Sequence, residues 1–242
     1  MTAGHFIEQL SGHVTEVEKG KLQKFFKGED GETEALGVKF GTVFKLAKDF
    51  MHMSLAGINK LLDSKYYEVR MGAVSIMDFQ ARDKKTSEPQ KKALFDLYLN
   101  RHDRLNNWDF VDRGAYNIIG GYLMDKPRDI LYELARSGDP WERRTAIVST
   151  YAFIRKGQLE DTFRIAEMLI DDKHELINKA VGSWVREAGK KDQNALLQFL
   201  DKYAATMPRI TLRYSIEKLS KDKKDHYMNF KQNHHDADNR KT

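Results

Sequence analysis

Arg143-Arg-Thr-Ala-Ile147 is the stretch on which the fold turns, because its pattern returns along the chain. Arg70-Met-Gly-Ala-Val74, Asp112-Arg-Gly-Ala-Tyr116, Ile177-Asn-Lys-Ala-Val181 and Leu212-Arg-Tyr-Ser-Ile216 share with it a small residue three positions in. Those residues, Ala73, Ala115, Ala146, Ala180 and Ser215, are 31 to 42 residues apart, close to the period of helical-pair solenoids. A small side chain at a fixed register lets neighbouring helices approach closely. Around these segments apolar residues recur at i, i+3 and i+4, and the β-branched alternation of strands is nearly absent. The reading is an all-α helical-repeat solenoid of stacked antiparallel helix pairs. Such arrays present a concave groove lined by one helix of each pair.

Working outward, the periodicity predicts helices at about residues 15–27, 41–50, 54–62, 68–82, 89–100, 107–124, 127–137, 140–155, 158–170, 174–190, 193–203 and 208–219. Of the four prolines, Pro127, Pro140 and Pro208 suit first-turn positions. The longest turn-rich linker is Lys27-Gly-Glu-Asp-Gly-Glu-Thr33, and the run Lys221-Asp-Lys-Lys224 reads as a solvated helix face near the end. One repeat domain is expected over 1–231. A polar, disordered tail follows over 232–242, in which His234 and His235 are tail residues and not ligands.

Apolar residues at 40% and charged residues at 32% suit a globular chain and are too hydrophobic for a disordered one. No apolar run approaches 18 residues, so no membrane span is expected, and Met1–Leu10 lacks the apolar stretch of a signal peptide. Cys is absent, which excludes disulfides, thiolate metal sites and cysteine nucleophiles, and makes a reducing cytoplasm the natural compartment. No P-loop, dinucleotide fingerprint or metalloprotease helix is present. The net charge of +5 is modest, so the placement of the cations matters more than their number.

Residues of one register in successive repeats face one groove. The positions just before the small residue hold Arg70, Asp112, Arg113, Arg143, Arg144 and Arg213, so four repeats place a guanidinium near the opening turn of an inner helix. That fork suits phosphate; the alternative is ion pairing with nearby Glu68, Glu142 or Glu217. Trp108 and Asp112 lie four apart on one helix face, where ring and carboxylate together can stabilise a cation. The alternative makes Trp108 core and Asp112 a cap or a partner of Arg113. Asp171, Asp172 and His174 form a small polar cluster that N-capping explains better than metal binding. Over 174–190, Ile177, Ala180, Val181 and Trp184 form an apolar stripe, while Lys179, Ser183, Arg186 and Lys190 form a basic one. Trp184 is therefore expected in packing and Ser183 in the groove.

A family resemblance enters on these residues. Asn106-Asn-Trp-Asp-Phe-Val-Asp112 resembles the Trp-Asp-x-Val-Asp signature of the AlkD-like DNA alkylation repair glycosylases, a HEAT-like repeat family. Trp141-Glu-Arg-Arg-Thr-Ala-Ile147, His174-Glu-Leu-Ile-Asn-Lys-Ala-Val-Gly182 with Arg186-Glu187, and Met207-Pro-Arg209 with Leu212-Arg-Tyr214 resemble further family blocks. Leu36-Gly-Val38 and Lys45-Leu-Ala-Lys48 extend the match toward the N-terminus, to about residues 20–230. Two departures stand out: Ser183 occupies the place of a second groove Trp, and Phe40-Gly-Thr-Val-Phe44 replaces a segment that usually carries Pro and Arg.

The resemblance implies release of N3- and N7-alkylated purines from double-stranded DNA by a cofactor-free, metal-free monomer. Asp112 would stabilise the developing sugar cation and position water, Trp108 would pack against the deoxyribose, and Arg144 would bind backbone phosphate. Arg143, Lys179, Ser183, Arg186 and Arg213 complete the expected DNA-binding set. An alkylated purine already carries positive charge and departs without a general acid, so one carboxylate suffices where many sugar hydrolases use two. The second reading is a non-catalytic HEAT-repeat module that binds DNA. A protein-binding scaffold fits less well, because the groove register holds Arg and Trp where apolar anchors would be needed.

Overall fold

The computed structural model describes residues 1–25 and 32–230, without the side chains of 23–25. Most of the Lys27–Thr33 linker and the tail expected from 232 lie outside the described residues. The chain divides into two compact units, Met1–Tyr122 and Leu123–Thr242. Among the described residues every regular element is helical, and one isolated bridge joins Glu34 to Tyr66.

In the first unit α1 (Ala3–Ser11) starts at Thr2, whose side chain accepts from His5 N, and buries Phe6 and Leu10 completely. This helix lies outside those expected from periodicity. α2 (Glu16–Phe25) and α3 (Phe40–Asp49) follow, the latter burying Val43, Leu46 and Ala47. α4 (Leu55–Leu62) is capped by Ser54. α5 (Tyr67–Arg82) is buried over most of its length and packs against α3 and α4. Its Glu68, fully buried, accepts from the backbone N–H groups of Leu36, Gly37 and Val38 at 2.8, 2.6 and 3.0 Å. Gly37 adopts φ +104°, and a Cβ there would lie 2.8 Å from Thr15 O, so only glycine fits that turn. α6 (Glu88–Asn100) opens on a Ser87–Gln90 capping box with Pro89 in its first turn. α7 (Trp108–Ala115) is shorter than the expected 107–124 helix, because the chain widens into a π turn over Tyr116–Gly120.

The second unit holds α8 (Asp129–Ala135), α9 (Pro140–Ser149), α10 (Tyr151–Ile154), α11 (Glu160–Met168), α12 (Glu175–Gly189), α13 (Gln193–Tyr203), α14 (Arg209–Ser215) and α15 (Lys221–Met228). The expected 140–155 helix breaks at Thr150. There Ser149 and Thr150 donate their hydroxyls to the carbonyls of Thr145 and Ile147, both at 2.7 Å, and compete with the helical ladder. Pro140 takes the first turn of α9 as expected. Pro208 is instead the N-cap of α14, and Pro127 precedes the cap of α8.

The repeat register holds in packing. Ala73, Ala115, Ala146, Ala180 and Ser215 are all buried, and within each unit the helices that carry them pack together in chain order. α5 meets α7 in the first unit; α9 meets α12, and α12 meets α14, in the second. At the last contact a Cβ on Gly182 would come within 2.6 Å of Thr211 O and Tyr214 Cβ, which shows how close these helices lie.

Candidate active site

α7 carries the site of the first unit. Asn107 caps it in extended conformation (φ −153°) and accepts from Trp108 N at 2.8 Å. Trp108 is half-buried and Asp112, one turn later, is exposed, so ring and carboxylate share one face of α7. Arg113 turns away to the buried Asp78 at 3.2 Å and to Ser75 Oγ at 3.0 Å, between the rings of Phe44 and Phe79.

The first turn of α7 is gripped by α5. The Tyr67 hydroxyl donates to Asp109 Oδ1 and accepts from Asn107 Nδ2 at 3.3 Å. Phe110 N also donates to Asp109 Oδ1, at 3.0 Å, and the Phe110 ring lies 4.4 Å from that of Tyr67. Burial pushes the Asp109 carboxyl up to about 6; the Tyr67 hydroxyl and the backbone pull the other way, and Asp112 adds to the rise. The Tyr67 hydroxyl is driven far above its usual range, by burial first and by Asp109 second. Arg70, expected from its register among the phosphate-facing guanidiniums, does not face solvent: it is 1% exposed, donates to Asn106 Oδ1 at 3.0 Å and Arg104 O at 3.3 Å, and reaches Thr33 Oγ1. It anchors the segment that leads into Trp108.

In the second unit the expected DNA-facing residues divide. Arg143 binds Asp172 through Nε (2.6 Å) and Nη2 (3.3 Å), and gives Nη1 to the carbonyls of Ser137 and Gly138. Its partner is an aspartate of the neighbouring repeat, not the glutamates considered from sequence, and the whole fork serves as a joint. Arg144 is buried and donates from Nη1 to Leu176 O at 2.6 Å. On α12 Lys179 pairs with Glu175, and Arg186 pairs with Glu217 and with Glu187 at 3.3 Å. Ser183 is half-buried between them in sequence. Arg213 is exposed and forms no hydrogen bond or ion pair among the described residues.

Trp184 sits at the edge of the apolar stripe. Ile177, Ala180, Val181 and Val185 are buried, whereas Trp184 is half-buried, its ring 4.9 Å from that of Tyr151 and its Nε1 buried without an acceptor. His174 is the N-cap of α12, with its backbone N–H on Asp172 Oδ1 at 2.8 Å and its ring edge-on to Trp141. Among the described residues no group of three His, Asp or Glu could hold a metal ion, and no helix is long and apolar enough to cross a membrane.

The sequence singles out neither Tyr67 nor Asp109. Asp109 was visible inside the Trp-Asp-x-Val-Asp match, but its donor lies 42 residues away, beyond any local pattern.

With this geometry in place, a family model described as DNA alkylation repair enzyme matches residues 6–219. The chain belongs to the DNA alkylation repair enzyme family. A solved structure described as a predicted DNA alkylation repair enzyme from Enterococcus faecalis shares the fold of this family member, with a TM-score of 0.66 at 13% identity. The similarity covers 86% of this chain and 98% of that one. No curated protein matches the chain.

Proposed function

We propose that this DNA alkylation repair family member is an N-glycosylase that releases N3- and N7-alkylated purines from double-stranded DNA. One observation carries the reading: α7 presents the half-buried Trp108 and the exposed Asp112 on one face, while α5 fixes the turn that bears them. In the reaction the bond between C1′ and the purine nitrogen breaks and its electron pair neutralises the cationic base. Water then adds to C1′ and gives up a proton, leaving an abasic site and free base. Asp112 stabilises the positive charge that develops on the sugar. Trp108 packs against the deoxyribose and adds the attraction of its ring face.

Phosphate contacts are assigned to exposed Arg213 first, and to Lys179 and Arg186 by exchange of their carboxylate partners. Arg144 contributes from a buried position, and Ser183 offers a hydroxyl from α12. Arg143 supports these contacts by holding Asp172 and the Ser137–Gly138 turn.

The test is incubation of the protein with duplex DNA containing N7-methylguanine, followed by measurement of free base. Release that is lost in Asp112→Asn, with fold and DNA affinity retained, is the expected result. Binding without release by the wild-type protein would establish the non-catalytic DNA-binding alternative instead.

A further inference from the structure

We propose that Asp109, gripped by Tyr67, is a positioning residue for the Asp112 site, holding the first turn of α7 and adding a second negative charge one turn from Asp112. The inference rests on the glycosylase reading above.

Three other aspartates with largely enclosed side chains are each tied down by a guanidinium: Asp78 holds Arg82 and Arg113, Asp161 holds Arg128 together with the Tyr132 hydroxyl, and Asp172 holds Arg143. Asp109 forms no ion pair among the described residues. Its Oδ1 takes the Tyr67 hydroxyl and the Phe110 N–H, and its Oδ2 is buried without a partner. A buried carboxylate without a cation, placed beside another carboxylate, works against folding. An asparagine would offer the same Oδ1 acceptor without burying a charge. Such a local conflict is the mark of a functional position.

The groups around Asp109 are few. Tyr67 comes from α5 with Arg70 beside it, Asp112 comes from α7 itself, and α3 brings the Phe40 ring to 6.1 Å from Tyr67. Since burial and Asp112 raise this carboxyl to about 6, it is protonated at pH 5 and ionised at pH 7.5. The proton settles on Oδ2, the oxygen without a partner, so the Tyr67 and Phe110 bonds to Oδ1 survive. Protonation therefore changes the charge of the site and leaves its framework standing. A sugar cation forming against Asp112 is stabilised by the second charge when Asp109 is ionised. At an effective dielectric constant near 20, one charge acting over roughly 10 Å is worth on the order of tenfold in rate.

The experiment measures single-turnover release of N7-methylguanine from duplex DNA between pH 5 and 7.5, less the uncatalysed loss, for wild type, Asp109→Asn and Tyr67→Phe. Wild-type release should rise through pH 6. Asp109→Asn keeps the Oδ1 acceptor and should remain folded by circular dichroism. It should release base about tenfold more slowly at pH 7.5 and show no rise through pH 6. Tyr67→Phe, which removes the donor that favours the ionised form, should move the rise to higher pH. An inflection near pH 6 that persists unchanged in folded Asp109→Asn overturns the role of Asp109 while leaving the glycosylase reading intact. Release by none of the three proteins at any pH overturns both.

Discussion

The same carboxylate makes a prediction about stability that needs no activity. Asp109 is raised from 3.8 to about 6 in the folded protein, so folding penalises its ionised form. Its contribution to stability is therefore complete below the unfolded value and is lost as pH rises through 6. For one group with these two values, the loss between pH 5 and pH 8 is about 1.4 kcal/mol. Asp78 is also raised, chiefly by burial, and adds loss of the same sign. Urea unfolding at pH 5 and pH 8, followed by far-ultraviolet circular dichroism, reads the difference directly. Wild type should be less stable at pH 8, and Asp109→Asn should show a pH difference smaller by about 1.4 kcal/mol. The absolute stability of that variant is a poorer measure, because its amide would bring a buried N–H to the place where Oδ2 has no partner. Tyr67→Phe should cost about 1–3 kcal/mol at pH 8, since it leaves Asp109 and Asn107 each short of a bond, and should enlarge the pH difference. Identical pH differences in wild type and Asp109→Asn would refute the reasoning.

Outcomes at four further residues separate joints from contacts. Arg143→Ala should destabilise by about 2–4 kcal/mol, because it strips the partner from Asp172, whose side chain is 6% exposed, and a thermal melt will show it. Arg213→Ala should leave the melt unchanged and lower the magnitude of the log–log salt slope of DNA binding by about one unit, as loss of one phosphate contact requires. Trp184→Ala should cost about 2–4 kcal/mol, whereas Trp184→Phe should be within about 1 kcal/mol of wild type; it sacrifices part of the contact with Tyr151 and removes a buried donor that has no acceptor. Ser183→Ala should barely move the melting temperature.

Much of the architecture was legible because a helix records its buried face at i, i+3 and i+4. The prediction over 193–203 matches α13 to the residue, and Ser54, Ser87 and Asp192 cap their helices through side-chain oxygens. α1 escaped because Ala3, Phe6 and Leu10 leave too short a record to set against its polar neighbours. The break at Thr150 escaped because it depends on two hydroxyls turning back on the ladder, which periodicity does not weigh. The site was legible in its residue types and not in their partners. Arg70 and Arg213 belong to one repeat pattern, yet Arg70 is enclosed by Asn106, Arg104 and Thr33 while Arg213 stands in solvent. Nothing in five residues of sequence distinguishes them, because the enclosing groups lie 34 to 37 positions away.

That division bears on how such a protein would hold DNA. On the proposed function, Lys179 and Arg186 meet phosphate only by leaving Glu175 and Glu217, which are already within bonding distance on the same surface. Exchange of a carboxylate for a phosphate returns a negative charge to the protein's surface as it neutralises one on the DNA. Each such residue therefore contributes less to affinity than an unpaired cation, and less to the salt dependence than a simple count of cations would give. The carboxylates also keep the guanidinium and ammonium groups oriented before DNA arrives, which lowers the ordering cost of each contact. The turn proposed to be catalytic is built on the opposite plan: Tyr67, Asn107 and Arg70 hold it through bonds that no phosphate would displace, because all three sit in the interior or at its edge. Exchangeable pairs on α12, combined with a turn on α7 that is fixed from within its own unit, would let the protein sample a duplex loosely while the geometry between Trp108 and Asp112 stays constant. Substitution of Glu217 by Gln should therefore tighten DNA binding and steepen its salt dependence, with no change in the pH profile of base release. Weaker binding in Glu217→Gln would show that the glutamate serves the bound state and not the free one.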